Sequence, residues 1–193
     1  MKSIVDYISK SFLSLDLLTK EQSAIENLSG LILSTLAKNN QIFVCGNGGS
    51  SAQAAHFAGE LIATFEKKKR RGFKIFDLHS CIPALTAWSN DFDYGTFLER
   101  QINNQGKKND LLIILSTSGG SEINDHSINL IKAAKIAKKK KIKIISLLGN
   151  NGGDIKKYSD YFVNIAMNST PHIQDAHMII LHYFCKKIDL FFK

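Results

Sequence analysis

The sequence lacks any apolar run approaching the roughly 18 residues that a membrane-spanning helix requires. Its N-terminal stretch is interrupted by Asp6, Lys10 and Asp16 before the apolar core of a secretory signal could form. A cytoplasmic protein with no membrane partner is the expectation. Cysteine is scarce: Cys45, Cys81 and Cys185 are far apart and odd in number, offering neither a CxxC metal pair nor a disulfide framework. They read as buried apolar residues. Repeats and linkers are absent, and the only biased segments are two basic runs, at 67–71 and 138–143. The net charge of +8 suits an anionic partner. Neither run, however, is interleaved with aromatics or joined to a nucleic-acid motif, so both read as solvated surface and nucleic acid is not expected.

With 193 residues, 44% of them hydrophobic, the chain can bury a substantial core as one domain spanning 1–193. From Asp6 to Lys38 apolar residues recur at helical spacing (Ile8, Phe12, Leu15, then Ile25, Leu28, Leu31, Leu36), which predicts one or two amphipathic helices as an N-terminal extension. From 41 onward the pattern changes. Short apolar, β-prone segments at 41–45, 73–78, 110–115, 142–148 and 161–165 alternate with helix-like stretches, the first of them over 51–66. Five such strands predict an α/β fold with a doubly wound, mostly parallel sheet. The last segment, 174–192, is apolar on nearly every face and reads as a helix that asks for burial all round. Association of subunits through the terminal helices is therefore expected, with packing inside one domain as the plainer alternative.

Two strand-to-helix loops have the composition of an anion site. The first runs Cys45-Gly46-Asn47-Gly48-Gly49-Ser50-Ser51, where glycines permit close backbone approach and the next helix offers its N-terminal N–H groups. It is neither GxGxxG nor a Walker loop. The second, Ser116-Thr117-Ser118-Gly119-Gly120-Ser121, leaves the strand at 110–115 and precedes a helix expected to begin near Glu122, with Ser121 either a phosphate ligand or an N-cap. On the helix after the first loop, His56 and Glu60 lie four apart and so project to one face, where they can meet one metal ion.

These residues resemble the phosphoheptose isomerases of the sugar isomerase (SIS) family, whose chains show CGNGGS, a following H-F-x-x-E-L, a later N-D, then STSG-x-S, and finally R-I-Q-E-x-H-x-x-x-x-H. This chain reads Cys45 to Ser50, His56 to Leu61, Asn90-Asp91, Ser116 to Ser121, and Ile173-Gln174-Asp175-Ala176-His177 continuing to His182, in the same order over nearly its whole length. The resemblance implies conversion of sedoheptulose 7-phosphate to D-glycero-D-manno-heptose 7-phosphate for bacterial surface polysaccharide, by a homotetramer with shared active sites. It also implies substrate contacts from Asn47, Gly48, Gly49, Glu60, Asn90, Asp91, Ser116, Thr117, Ser118, Ser121 and Gln174, and one zinc per subunit held by His56, Glu60, Gln174 and His182.

Ketose-to-aldose isomerisation needs a base at C1 and C2 and an acid at the oxygens, roles that suit Glu60 and His182. Gln174 and His182 are eight apart, about 12 Å along an ideal helix. Either the helix starts after Gln174, or different subunits supply the two ligands. His177 reads as a packing or supporting residue. The chain departs from the family pattern at Gln53 (usually Asp), Thr64-Phe65 (usually Arg-Tyr) and Pro171-His172 (usually Asp-Arg), losing charged groups that neither Thr64 nor His172 replaces. Two other functions share the fold: a noncatalytic SIS regulator of the DiaA type, which binds the replication initiator DnaA, and a phosphosugar-binding module. Retention of both Glu60 and His182 favours the enzyme.

Overall fold

Alternation along the strands sorts side chains to two faces of one sheet, and each face is covered by helices. The computed structural model describes residues 3–192, so residues 1, 2 and 193 of the expected domain lie outside the described residues. Two helices, α1 (Ile4–Lys20) and α2 (Gln22–Ala37), precede the first strand. The five strands are β1 (Ile42–Gly46), β2 (Ile75–Asp77), β3 (Leu111–Ser116), β4 (Lys143–Gly149) and β5 (Tyr161–Ile165). Between and after them run α3 (Gly49–Ile62), α4 (Ile82–Asp91), a 3₁₀ turn at Tyr94–Thr96, α5 (Phe97–Gln105), α6 (Ile128–Lys139), the short α7 (Ile155–Tyr158) and α8 (Thr170–Phe191).

All strand pairs are parallel, in the order β2-β1-β3-β4-β5. Ile42, Val44, Ile113, Leu147 and Val163 face one core with α2, α3 and α8, including Leu28, Phe57 and Phe184. Phe43, Cys45, Leu112, Ile114 and Leu148 face the other core with α5 and α6, including Leu98, Ile102 and Leu130. Because β1 lies between β2 and β3, the chain reverses direction across the sheet beside it. Such a switch point opens a crevice beyond the carboxyl ends of the strands. Among the described residues no helix is long and apolar enough to cross a membrane.

Several expectations are corrected. The helix after β1 ends at Ile62, not near Glu66, because the carbonyls of Glu60 and Leu61 are taken by Arg70 and the Leu61 carbonyl also accepts the Phe73 N–H. Arg70 itself is only 5% exposed, so the basic run at 67–71 is not wholly solvated surface. The helix expected near Glu122 begins at Ile128. Residues 121–126 form instead a turn closed by reciprocal backbone hydrogen bonds between Ser121 and His126, at 2.9 and 3.0 Å. Left-handed φ at Asp125 and Ser127 rules out an earlier helix start. Cys45 and Cys185 are buried, but Cys81 is exposed ahead of α4.

The C-terminal helix starts at Thr170, with Pro171 in its first turn as proline's fixed φ favours. A start after Gln174 is thereby excluded. Most of the apolar length of α8 is used inside the chain, where Ile173, Ile180, Leu181, Phe184 and Ile188 are buried. Ile4, Val5, Ile8, Phe12 and Leu13 of α1 remain exposed.

Candidate active site

At the switch point lies a cavity of about 380 Å³, lined by the loop after β1 (Asn47, Gly48, Gly49, Ser50), the loop after β3 (Ser116, Thr117, Ser118), the start of α6 (His126, Ser127) and the start of α8 (Thr170, Gln174). Three helices therefore begin at its wall, and helix N-termini favour anions through their N–H groups and dipole. Among the described residues no lysine, arginine or carboxylate lines it.

Local chemistry holds the walls in place. The Asn47 and Asn129 side-chain amides pair reciprocally at 2.9 and 2.8 Å, and the Tyr94 hydroxyl donates to Asn47 Oδ1 at 3.0 Å. Ser116 Oγ accepts from the Gly119 N–H and Ser118 Oγ from the Gly120 N–H, curling the hydroxyl loop back on itself. Gly119 has φ +73°, and a Cβ there would lie 2.0 Å from the Gly152 carbonyl oxygen. Only glycine lets this loop press against the one after β4. Gly49 serves a different end: a Cβ would sit 2.6 Å from Gln174 Nε2, so its absence lets the Gln174 amide lie across the start of α3. Gln53, the neutral residue on the next turn, donates to the Gln174 carbonyl at 2.7 Å.

The second group lies farther along the same helix pair. His56 Nε2 is 3.4 Å from Glu60 Oε1 and 3.2 Å from His182 Nε2. The Phe65 ring stacks on His182 with centroids 5.8 Å apart. Glu60 also lies beside Cys185, whose thiol is pushed up to about 12 by burial and then by the charge of Glu60.

A buried ion pair ties this end together: Arg70 Nε donates to Asp189 Oδ1 at 2.7 Å and Arg70 Nη2 to the Glu60 carbonyl at 2.6 Å. The other Asp189 oxygen accepts the N–H groups of Glu66 and Lys67, fixing the segment that carries Phe65.

Of the residues expected in the site, Asn47, Gly48, Gly49, Ser116, Thr117, Ser118 and Gln174 meet at the cavity, while His56, Glu60 and His182 meet at the second group. Within one chain Gln174 stands apart from those three, one unbroken helix placing it about 12 Å from His182. Ser121 is not in the cavity wall; its backbone is paired with His126 and its hydroxyl accepts from Asn124. Asn90 and Asp91 are also elsewhere, hydrogen-bonded to each other on the exposed end of α4.

His177 and His172 are both buried and structural. The first donates from Nε2 to the Leu148 carbonyl, and burial lowers its pKa to about 4. The second bridges Ser169 and the Tyr7 carbonyl. Sequence reasoning missed His126, Ser127, Thr170, Asn129 and Tyr94, and had Ser50 only as a member of the first loop. The Ser169-Thr170-Pro171 helix-start signature could have revealed Thr170; nothing local marks Asn129 or His126.

The SIS domain family is matched over residues 6–149. A phosphoheptose isomerase of Helicobacter pylori (strain ATCC 700392 / 26695) is 39% identical over 171 residues, covering 89% of this chain and 85% of the relative. One of Aliarcobacter butzleri (strain RM4018) is 39% identical over 168 residues, covering 87% and 85%. Among solved structures, a phosphoheptose isomerase from Francisella tularensis superposes with a TM-score of 0.90 at 26% identity, covering 97% of this chain and 96% of that one. Phosphoheptose isomerase GmhA from Neisseria gonorrhoeae gives 0.87 at 29% identity, covering 97% of each. Matched by the SIS model over most of its length and by relatives at 39% identity, the chain belongs to the SIS domain family and, within it, to the phosphoheptose isomerases.

Proposed function

We propose that this chain interconverts sedoheptulose 7-phosphate and D-glycero-D-manno-heptose 7-phosphate, supplying heptose for bacterial surface polysaccharide. The observation that carries the reading is the convergence of Glu60 and His182 beside His56 on the two helices that also wall the anion cavity. A DiaA-like regulator or a plain binding module would have no use for that group. The phosphate is held by backbone N–H groups and hydroxyls of the two loops. Glu60 removes the proton at C1 and returns it at C2 through an enediol, while His182 carries a proton between the two oxygens.

The donor set also suits zinc. Tetrahedral zinc with bonds of about 2.0–2.2 Å holds its donors roughly 3.3–3.6 Å apart, and two of the three edges of this group, both from His56, are 3.2 and 3.4 Å. Among the described residues of the single chain no group of three or more His, Cys, Asp and Glu side chains is placed so that it could hold a metal ion. His56, Glu60 and His182 would hold the ion, with Gln174 of a second copy as the fourth donor. When bound, zinc polarises the hydroxyl and carbonyl oxygens of the substrate. Metal analysis should find about one zinc per chain, and His56→Ala should lower its occupancy while circular dichroism is unchanged. Full activity after exhaustive chelation, with no metal detectable, would remove this assignment.

The separation of Gln174 from His182 supports a composite site, in which the cavity of one copy faces the acid/base group of another. The exposed apolar face of α1 and the lack of any buried residue in α4, which carries Asn90 and Asp91, support a homotetramer. Purified protein incubated with a panel of ketose phosphates should convert the heptulose phosphate to its aldose, and light scattering should show more than one chain. Conversion of none of the panel would sink the isomerase reading. An active 21.5 kDa monomer would sink the shared site.

A further inference from the structure

The cavity wall is built almost wholly from groups that do not titrate. Among the described residues lining it, His126 is the one titratable residue. It stands at the end of the 121–126 turn, immediately before Ser127, the N-cap of α6. The turn is braced from outside: Glu122 accepts from Lys135 Nζ at 2.6 Å and from the Tyr158 hydroxyl at 2.7 Å, and its N–H donates to Asp154 Oδ2 at 2.8 Å. Together with the Ser121–His126 backbone pair, these contacts fix the position of His126 from both ends. Ser121, the hydroxyl that sequence alone places at the phosphate, is carried away by the same turn.

A phosphate monoester carries about −1.5 to −2 charges near neutral pH. The three helix starts at the wall each present the equivalent of about half a positive charge, and the hydroxyls add donors without charge. Among the described residues no lysine or arginine in the wall adds to this. We infer that His126 is a phosphate-binding residue of this chain, its imidazole N–H donating to the phosphate from the α6 side in place of Ser121. The inference rests on the isomerase reading only for the identity of the sugar. The group recognised is the phosphate monoester itself, so inorganic phosphate is a sufficient probe.

Calorimetric titration of the purified full chain with inorganic phosphate tests it without turnover. His126 is exposed, so its replacement should leave the fold intact, which circular dichroism checks. A hydrogen bond to a charged group contributes enough that His126→Gln should weaken phosphate binding by about tenfold or more. In the isomerase assay KM should rise by a similar factor with kcat within about twofold, as removal of uniform binding requires. His126→Lys should restore most of the affinity, because it returns an N–H donor at the same position. Wild-type phosphate affinity in His126→Gln overturns the assignment, as do Gln and Lys variants that are equally weak, since the loss would then belong to the packing of the turn. Wild-type protein that binds phosphate through His126 but isomerises no ketose phosphate would refute the isomerase reading and leave this inference standing.

Discussion

Glu60→Gln should lose at least about a hundred-fold in turnover while inorganic phosphate binds as in the wild type, because general-base catalysis is typically worth a hundred- to ten-thousand-fold. The substitution keeps the shape of a side chain that sits 3.4 Å from His56 and beside Cys185, and removes its ability to accept a proton from carbon. Binding and chemistry should separate cleanly, since the cavity lies on the other end of α3 and α8 from this carboxylate. A carboxylate that also holds a metal ion is a poorer base, and the amide would weaken the ion, so zinc content has to be measured in the same sample. The decisive readout is uptake of solvent deuterium at the reacting carbons. Wild-type exchange and turnover in metal-loaded Glu60→Gln would assign the base to another residue.

Arg70→Met should lower stability by about 3–5 kcal/mol, the usual consequence of leaving one member of a buried ion pair without its partner. At 5% and 6% exposure, Arg70 and Asp189 have little water to turn to. The guanidinium also satisfies the carbonyls of Glu60, Leu61 and Arg71, so its removal strands acceptors at the end of α3 as well as a charge on α8. For a chain of this length the melting temperature should fall by on the order of 10 °C. Arg70→Met/Asp189→Leu should recover part of that loss, because removing both charges removes the unpaired one. A single variant that melts within about 2 °C of wild type would show that the pair is not what fastens these helix ends.

The sheet was legible because the strands are short, mostly apolar runs bounded by turn residues, and β1 and β3, buried along their whole length, carry the signature of a parallel strand covered on both faces. The two loops were legible for the same local reason, as was the His56–Glu60 pair from its spacing. What escaped was set by distant partners. Nothing between Ala63 and Glu66 forbids a helix; α3 stops because Arg70, ten residues past Glu60, takes its terminal carbonyls. Glu122 opens no helix because Asp154, Lys135 and Tyr158 draw it into a braced turn. The Asn47–Asn129 pair joins residues 82 apart, a contact no local pattern encodes. Asn90 and Asp91 matched the family motif in sequence, yet one chain alone leaves them on an exposed helix end.

Three helix starts around one neutral cavity have a consequence for the direction of the reaction. In the proposed function they hold the phosphate, which is the same group at the same end of the molecule in ketose and aldose alike. An anchor of this kind stabilises substrate, intermediate and product equally, which lowers KM without raising kcat. The product should therefore compete with the substrate for the cavity on nearly even terms. Net flux through the enzyme would then follow the concentrations on either side, and a step that consumes the aldose phosphate would be needed to carry carbon onward.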